Sequence, residues 1–376
     1  MVSCFHQVLA SHELGGAGHI ALGLASELQG RGQVSHVWIP GEGPAQRKAE
    51  ELGLITHSYT ATGLSISAKI RAITNNLSFW QKLYFHRPGL IHIHSPFHYR
   101  ALLLALKLSR MRCVVHVQLE EDVEGLRWAF KTPPDLIITC ARFLEGYVRR
   151  ILPERYQDRQ RIVAVSNPVD TQQFYPGDRT AAKRHVGAPI DVPLALMLAN
   201  LAPHKGQETA IKAMAALTKA GVEAMLWLAG VERGGERHYT TLLHNLCAEL
   251  GVEDRVQFLD YRSDAADLLR AADVFLLPST HEGLPLSVLE AQATKVPVLA
   301  APTGGIPEVV IDGETGFLHS ATDVLGYASR IEALLRHSDL YDRVTERAYT
   351  NILKEYTWQV YYERVWQLYT YELRIN

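Results

Sequence analysis

Residues 193–230 read PLALMLANLAPHKGQETAIKAMAALTKAGVEAMLWLAG. The run PLALMLANL is apolar on both alternating sets of positions and reads as a strand. A short loop carries His204, Lys205 and Gly206. QETAIKAMAALTKAG then has helical periodicity, and AMLWLAG is a second strand. A strand, a helix and a strand joined by short loops form a βαβ unit. Strands that are apolar throughout belong to a parallel sheet covered on both faces.

The same alternation extends in both directions. Toward the C-terminus come HYTTLLHNLCAELG (helix), RVQFLD (strand), DAADLLRAAD (helix), VFLLPS (strand), VPVLAA (strand), IPEVVIDG (short helix) and a long helix around Leu325 to Arg336. The tail WQVYYERVWQLYTYELRI is helical and aromatic. Toward the N-terminus, SCFHQVLAS, QVSHVWIP, GLIHIHSP, RCVVHVQL, PPDLIITC and RIVAVSNPV are strands with helical segments between most of them. The segment Asn167 to Pro193 differs: it holds four prolines and no sustained apolar run. It reads as an interdomain connection with a short helix inside. The fold class is therefore α/β: two doubly wound, Rossmann-like domains, residues 1–168 and 169–357. Ligands are expected outside the carboxyl ends of the strands, in a cleft between the domains.

Composition narrows the function. The 376 residues are 47% hydrophobic and 21% charged, with a net charge of −2. That balance argues against a duplex nucleic acid partner. Cys4, Cys113, Cys140 and Cys247 are scattered without a CxxC pair, which fits reduced core thiols. No apolar run reaches membrane-spanning length and the start lacks the features of a signal peptide. A cytoplasmic protein is expected. The segment Leu64 to Arg87 interleaves Lys69, Arg71, Lys82 and Arg87 with apolar residues. We read it as a solvated amphipathic helix, with contact to an anionic membrane face or a lipid-linked acceptor as the alternative.

The chemistry concentrates in LPSTHEGLPLSVLEAQA, Leu277 to Ala293. Pro285 suits the first position of a helix, where its missing N–H costs nothing. The amides of Leu286 and Ser287 are then free to bind an anion. Glu290 lies a turn further in, and helical side chains lean toward the N-terminus. A carboxylate there can accept hydrogen bonds from the two hydroxyls of a ribose. Glu282, before the helix, faces the other side, where a sugar would sit. Complementing the helix dipole is the alternative role, and it explains Glu282 better than Glu290. In NLAPHKGQET, Lys205 stands before a helix start, where its charge suits a phosphate. HELGGAGH, His12 to His19, is a second glycine turn opening a helix, for an anion or simply for a turn needing positive φ. It lacks the GxGxxG spacing of nicotinamide sites. APTGGIPEVVIDGETGFL offers a backbone wall for the same ligand. His92, His94, His98, His116 and Gln118 gather at strand ends, but no metal is expected there, and no DxD triplet occurs.

Taken in order, NLAPHKG, AADVFLLPSTHEGLPLSVLEAQA, VPVLAAPTGGIPEVV and DGETGFL resemble the C-terminal half of glycosyltransferase family 4, with the family's E-x7-E pattern at Glu282 and Glu290. NPVDTQQFYP resembles its interdomain segment, and HELGGAG and LIHIHSP match its N-terminal half more loosely. The resemblance implies a GT-B fold whose final helix, 358–376, returns to the N-terminal domain. It implies a retaining, metal-independent hexosyltransferase without a cofactor, taking a nucleotide-sugar donor, UDP-linked, and a saccharide or lipid-linked saccharide acceptor. The N-terminal domain would bind the acceptor and the C-terminal domain the donor. Glu282 would contact donor-sugar hydroxyls, Glu290 the ribose and Lys205 the diphosphate. Gly283, Leu284, Leu286, Ser287 and Asn200 would line the donor site, with Gly15 and Gly16 approaching it. Gln118 or His116 would face the sugar, and His94 and His98 the acceptor. Asn200 stands where the family usually has arginine, and Gln118 where many members have histidine. A nucleotide-sugar epimerase or hydrolase, or a weakly active sugar-nucleotide-binding module, are the alternatives.

Overall fold

The computed structural model describes residues 4–60, 68–86, 89–232 and 238–372. The chain divides into two compact units, Met1–Asn167 with Trp358–Asn376, and Pro168–Thr357.

The first unit is built on a parallel sheet of β1 (Cys4–Val8), β2 (Val34–Ile39), β3 (Ile55–Ser58), β4 (Leu90–Ile93), β5 (Arg112–Val117), β6 (Leu136–Thr139) and β7 (Ile162–Ala164). Their spatial order is β3-β2-β1-β4-β5-β6-β7. The order reverses between β1 and β4, which makes that junction the switch point where doubly wound sheets bind ligands. Strands β1, β4 and β6 are buried at every position, as a sheet covered on both faces requires. Helix Gly16–Gly30 covers one face through Ile20, Leu24 and Leu28. Helix Trp358–Gln367 packs against it. Trp358 lies so close to Gly23 that a Cβ there would come within 2.2 Å of the indole ring. Tyr369 stacks on Phe5 and hydrogen-bonds His92 Nδ1 at 2.6 Å. The aromatic tail is thus core of the first unit.

The second unit has β8 (Leu194–Leu198), β9 (Met225–Ala229), β10 (Val256–Phe258), β11 (Val274–Leu277), β12 (Val298–Ala300) and β13 (Phe317–Leu318) in the order β10-β9-β8-β11-β12-β13. Its switch point lies between β8 and β11. Helix Gln207–Lys219 packs its Ile211, Met214 and Leu217 onto the core of β8, β9 and β11.

The proline-rich segment holds the short helix expected in it, Arg179–Val186, which packs against Ala265–Ala271, and Arg179 and Lys183 both pair with Asp273. An 18-residue helix, Ser338–Glu355, escaped the sequence reading. Its buried set, Val344, Thr345, Ala348 and Ile352, includes only two aliphatic side chains larger than alanine. The segment carrying Arg71 and Lys82 is helical over Ala68–Phe85, and its exposed side mixes Arg71, Thr74, Ser78, Gln81 and Lys82 with apolar residues. Ile70, Ile73, Leu77 and Tyr84 are all exposed, Ile70 at 78%. Lys69 and Arg87 fall where side chains lie outside the described residues. All four cysteines are buried and free. Among the described residues no helix is long and apolar enough to cross a membrane.

Candidate active site

The loops leaving β8, β11 and β12 are tied into one surface beside the switch point of the second unit. His204 O accepts the Thr280 amide at 2.8 Å, and Lys205 O accepts the Ser279 hydroxyl at 3.4 Å. Thr303 Oγ1 donates to Thr280 O at 3.1 Å, and the Gly305 amide donates to Gly283 O at 2.6 Å. Two glycines permit this closeness. Gly206 has φ +79 and Gly304 has φ +59; added Cβ atoms would lie 2.1 Å from Pro278 O and 2.0 Å from Glu282 O. Left-handed backbone and a missing side chain are both required at these positions.

This scaffold brings Lys205 and Glu282 together. Lys205 Nζ lies 2.7 Å from Glu282 Oε1, with the two side chains 20% and 7% exposed. Pro203–Lys205 forms a 3-10 turn that aims the lysine, and Gly206 caps the following helix from its left-handed conformation. Burial and the neighbouring Lys205 charge hold the His204 imidazole below its usual range.

The helix of the E-x7-E motif runs Leu286–Ala293. Pro285 is its N-cap, with ψ 126, one position earlier than the first helical turn expected for it. Its ring fixes φ but leaves ψ free, so the extended cap is equally accessible. The amides of Leu286 and Ser287 donate to no group among the described residues. Glu290 is half-buried, and its carboxylate has no hydrogen-bond or ion-pair partner among the described residues. Desolvation pushes its pKa up to about 7. An unpaired, desolvated carboxylate beside free helix amides is costly unless something binds there.

Sequence reasoning missed the way Gln207 supports this surface. Its side chain is fully buried and donates to Asn200 O at 3.0 Å, pinning the loop after β8. A glutamine at a helix start reads as solvated, so composition gave no signal. Gly230, at φ +152, was also missed; a Cβ there would meet Ala199 O at 2.0 Å.

In the first unit, helix Gly16–Gly30 starts with Gly15 as N-cap at φ −103. Neither Gly15 nor Gly16 has positive φ, so no left-handed turn demands the pair. His116 is fully buried and His94 is 4% exposed, so neither side chain presents a surface to a substrate. Both faces of the sheet are covered, and His94 lies 2.9 Å from Gln7 Oε1 and stacks on His92. Gln118, just past β5, is half-buried and lies 3.1 Å from His116 Nε2, which orients it. His98 is half-buried against Ser95 Oγ at 3.2 Å. His92, His94 and His116 stack within 4.4–5.6 Å of one another. Asp122 joins no such cluster; it caps helix Val123–Ala129.

The family model for glycosyl transferases group 1 matches residues 178–351, and that for Glycosyltransferase Family 4 matches 14–173. The chain carries a Glycosyltransferase Family 4 domain followed by a glycosyl transferases group 1 domain. D-inositol 3-phosphate glycosyltransferases of Mycobacterium tuberculosis and Mycobacterium bovis are 36% identical to this chain over 214 residues. That match spans 56% of this chain and 44% of theirs, so the chain corresponds to less than half of those relatives' length. Anabaena HepE, solved in complex with UDP and glucose, superposes with a TM-score of 0.85 at 20% identity, over 99% of this chain and all of HepE. Sucrose-phosphate synthase of Thermosynechococcus elongatus gives 0.79 at 19% identity, over 99% of each chain. These likenesses establish the GT-B fold of the chain.

Proposed function

We propose that this glycosyltransferase moves a hexosyl group from a UDP-sugar to a saccharide or lipid-linked saccharide, with retention and without a metal ion. The observation that carries the reading is the Lys205–Glu282 pair set beside the free amides of Leu286 and Ser287 and the unpartnered Glu290. The amides and Lys205 receive the diphosphate, Glu290 the ribose hydroxyls, and Glu282 the donor sugar, with Gly283, Leu284 and Asn200 lining the site. HepE's complex with UDP and glucose supports the choice of nucleotide. As the anomeric C–O bond breaks, its electron pair goes to the phosphate, and Lys205 and the amides stabilise that charge. The acceptor oxygen attacks from the same face and its proton passes to the departing phosphate. Gln118 in the first unit, oriented by His116, serves the sugar hydroxyls; Gly15 and Gly16 serve the donor and His98 the acceptor. His94 acts through its neighbours.

The test is a screen of UDP-sugars against saccharide acceptors in EDTA, read by mass spectrometry. UDP release that requires an acceptor is expected. Donor conversion without an acceptor would mean an epimerase or hydrolase, and tight UDP binding without turnover a binding module; either overturns the proposal.

Glu290 gives this site a pH signature. Its carboxyl titrates near 7 because burial disfavours the charge. The charged form accepts ribose hydroxyls, so affinity for UDP-glucose rises between about pH 6 and pH 8, by up to about tenfold per unit below the pKa. Stability moves the other way. A carboxyl raised from 4.5 to about 7 in the folded state costs stability as pH climbs through that window. In Glu290→Gln, calorimetric affinity is expected to be weaker and flat with pH, and the stability difference from wild type to shift in the variant's favour as pH rises. Parallel affinity profiles in the two proteins would remove Glu290 from the ribose.

We also propose that the apolar stripe of Ile70, Ile73, Leu77 and Tyr84, with Arg71 and Lys82 exposed on the same helix, rests on an anionic membrane surface. Vesicles containing anionic lipid should co-sediment the protein, with binding reduced in Ile70→Ser/Ile73→Ser. Equal sedimentation of variant and wild type would reject the contact.

A further inference from the structure

A cluster of histidines in the first unit takes no part in the chemistry above. His36 lies on β2 and His57 on the edge strand β3, where His57 is paired with Trp38 and so shares a sheet face with His36. His86 follows helix Ala68–Phe85 and brings a third ring onto that face. Each of the three offers a ring nitrogen, and the three nitrogens lie within 4.8 Å of one another. His36 Nδ1 and His57 Nε2 are 2.8 Å apart and share a proton. The rings are mutually inclined by 37–49°, with centroids 4.2–5.0 Å apart.

We propose that His36, His57 and His86 form a site for a divalent transition metal of the zinc class, fastening the edge of the sheet to the end of helix Ala68–Phe85. Tetrahedral zinc holds imidazole nitrogens at about 2.0–2.1 Å, hence about 3.3 Å from each other. Small side-chain rotations bring the three nitrogens to that spacing, and the donor ring of the His36–His57 pair carries its proton on its other ring nitrogen when the metal enters. The surroundings orient the ligands. The His6 ring stacks on His36 at 5.2 Å, and His6 Nδ1 accepts the Trp38 indole N–H at 3.1 Å. Trp38 in turn stacks on His57 at 4.5 Å. Such outer partners fix ring orientation in histidine metal sites.

A second trio, His92, His94 and His116, meets the same distance criterion. It carries the proposal less well. Its rings are fully or almost fully buried, and His92 lies within 14–25° of parallel to each of the others, so the rings are stacked rather than converging on one point. His57 and His86 are half-buried and leave a path from solvent.

The experiment uses the whole chain, stripped with chelator, equilibrated with Zn²⁺, desalted and assayed for metal by mass spectrometry. Wild type is expected to retain stoichiometric zinc and to gain thermal stability on its addition. His57→Gln and His86→Gln, with unchanged circular dichroism, are each expected to bind at least about 10–100-fold more weakly, the loss seen even for outer-shell partners. His86→Gln is the safer variant, because that side chain is only half-buried at a helix end. His92→Gln is expected to retain zinc as wild type does. No retention by wild type overturns the proposal. So does equal retention by all variants, or loss only in His92→Gln, which would assign the metal to the buried trio. Transfer activity in EDTA is a separate readout, so failure here leaves the proposed reaction standing.

Discussion

Alanine at Lys205 lowers kcat/KM for the UDP-sugar by about 10²–10³, the range lost when a donor to developing negative charge is removed. Two features place the effect at the upper end. Asn200 stands where the resemblance to glycosyltransferase family 4 implies an arginine, which leaves Lys205 as the cation of the proposed diphosphate site. The substitution also strands Glu282, whose side chain is only 7% exposed and whose carboxylate is held at 2.7 Å by the lysine. A carboxylate left without its partner in a half-dry site repels the diphosphate and raises KM, while loss of the lysine charge lowers kcat. Lys205→Arg keeps the charge and should recover part of kcat. Removing both groups separates the two effects: Lys205→Ala/Glu282→Ala should lose less than the sum of the single changes, because the stranded charge is gone. Steady-state kinetics on wild type, Lys205→Ala, Lys205→Arg, Glu282→Ala and the double variant decides it. A loss of less than about tenfold for Lys205→Ala would take the lysine off the leaving group.

The comparison of sequence and structure explains why the site was partly legible. Strands apolar on both sides, ended by glycine loops and followed by helical periodicity, identify parallel α/β units from local pattern alone. The E-x7-E spacing and the lysine before a helix are likewise local. What pattern could not give were the tertiary facts. Lys205 and Glu282 are 77 residues apart, and their ion pair follows from the adjacency of β8 and β11. His94 and His116 read as strand-end residues facing acceptor and sugar, yet both are buried, because the sheet is covered on both faces. Gln207 reads as a solvated helix start, yet it is fully buried because the Asn200 carbonyl needs a donor. The three histidines of the proposed metal site are spread over 51 residues: the register of β2 and β3 puts His36 and His57 on one face, and the end of helix Ala68–Phe85 brings His86 to it. Helix Ser338–Glu355 was missed because its buried face is so sparsely apolar.

Gly304→Ala separates the architecture of the site from its chemistry. The backbone there has φ +59, and the new Cβ would lie 2.0 Å from the Glu282 carbonyl oxygen and 2.7 Å from its carbon. Adopting left-handed backbone costs alanine about 1–2 kcal/mol. The contact adds to this, because the opposing atoms are backbone and cannot rotate away. Relief requires the β11 loop to move, and that loop carries Glu282 and the Gly283 carbonyl that accepts the Gly305 amide at 2.6 Å. A shift of about 1 Å at a positioned group costs about 10²-fold in rate. Gly313 supplies the control. It has φ +73, but an added Cβ meets nothing within 4 Å. Gly313→Ala should therefore lose about 1–2 kcal/mol of stability in urea and keep its donor kinetics. Gly304→Ala should lose more stability and about 10²-fold in kcat/KM. If the two variants match in both measurements, the close approach at Glu282 is not what holds the donor loop in place.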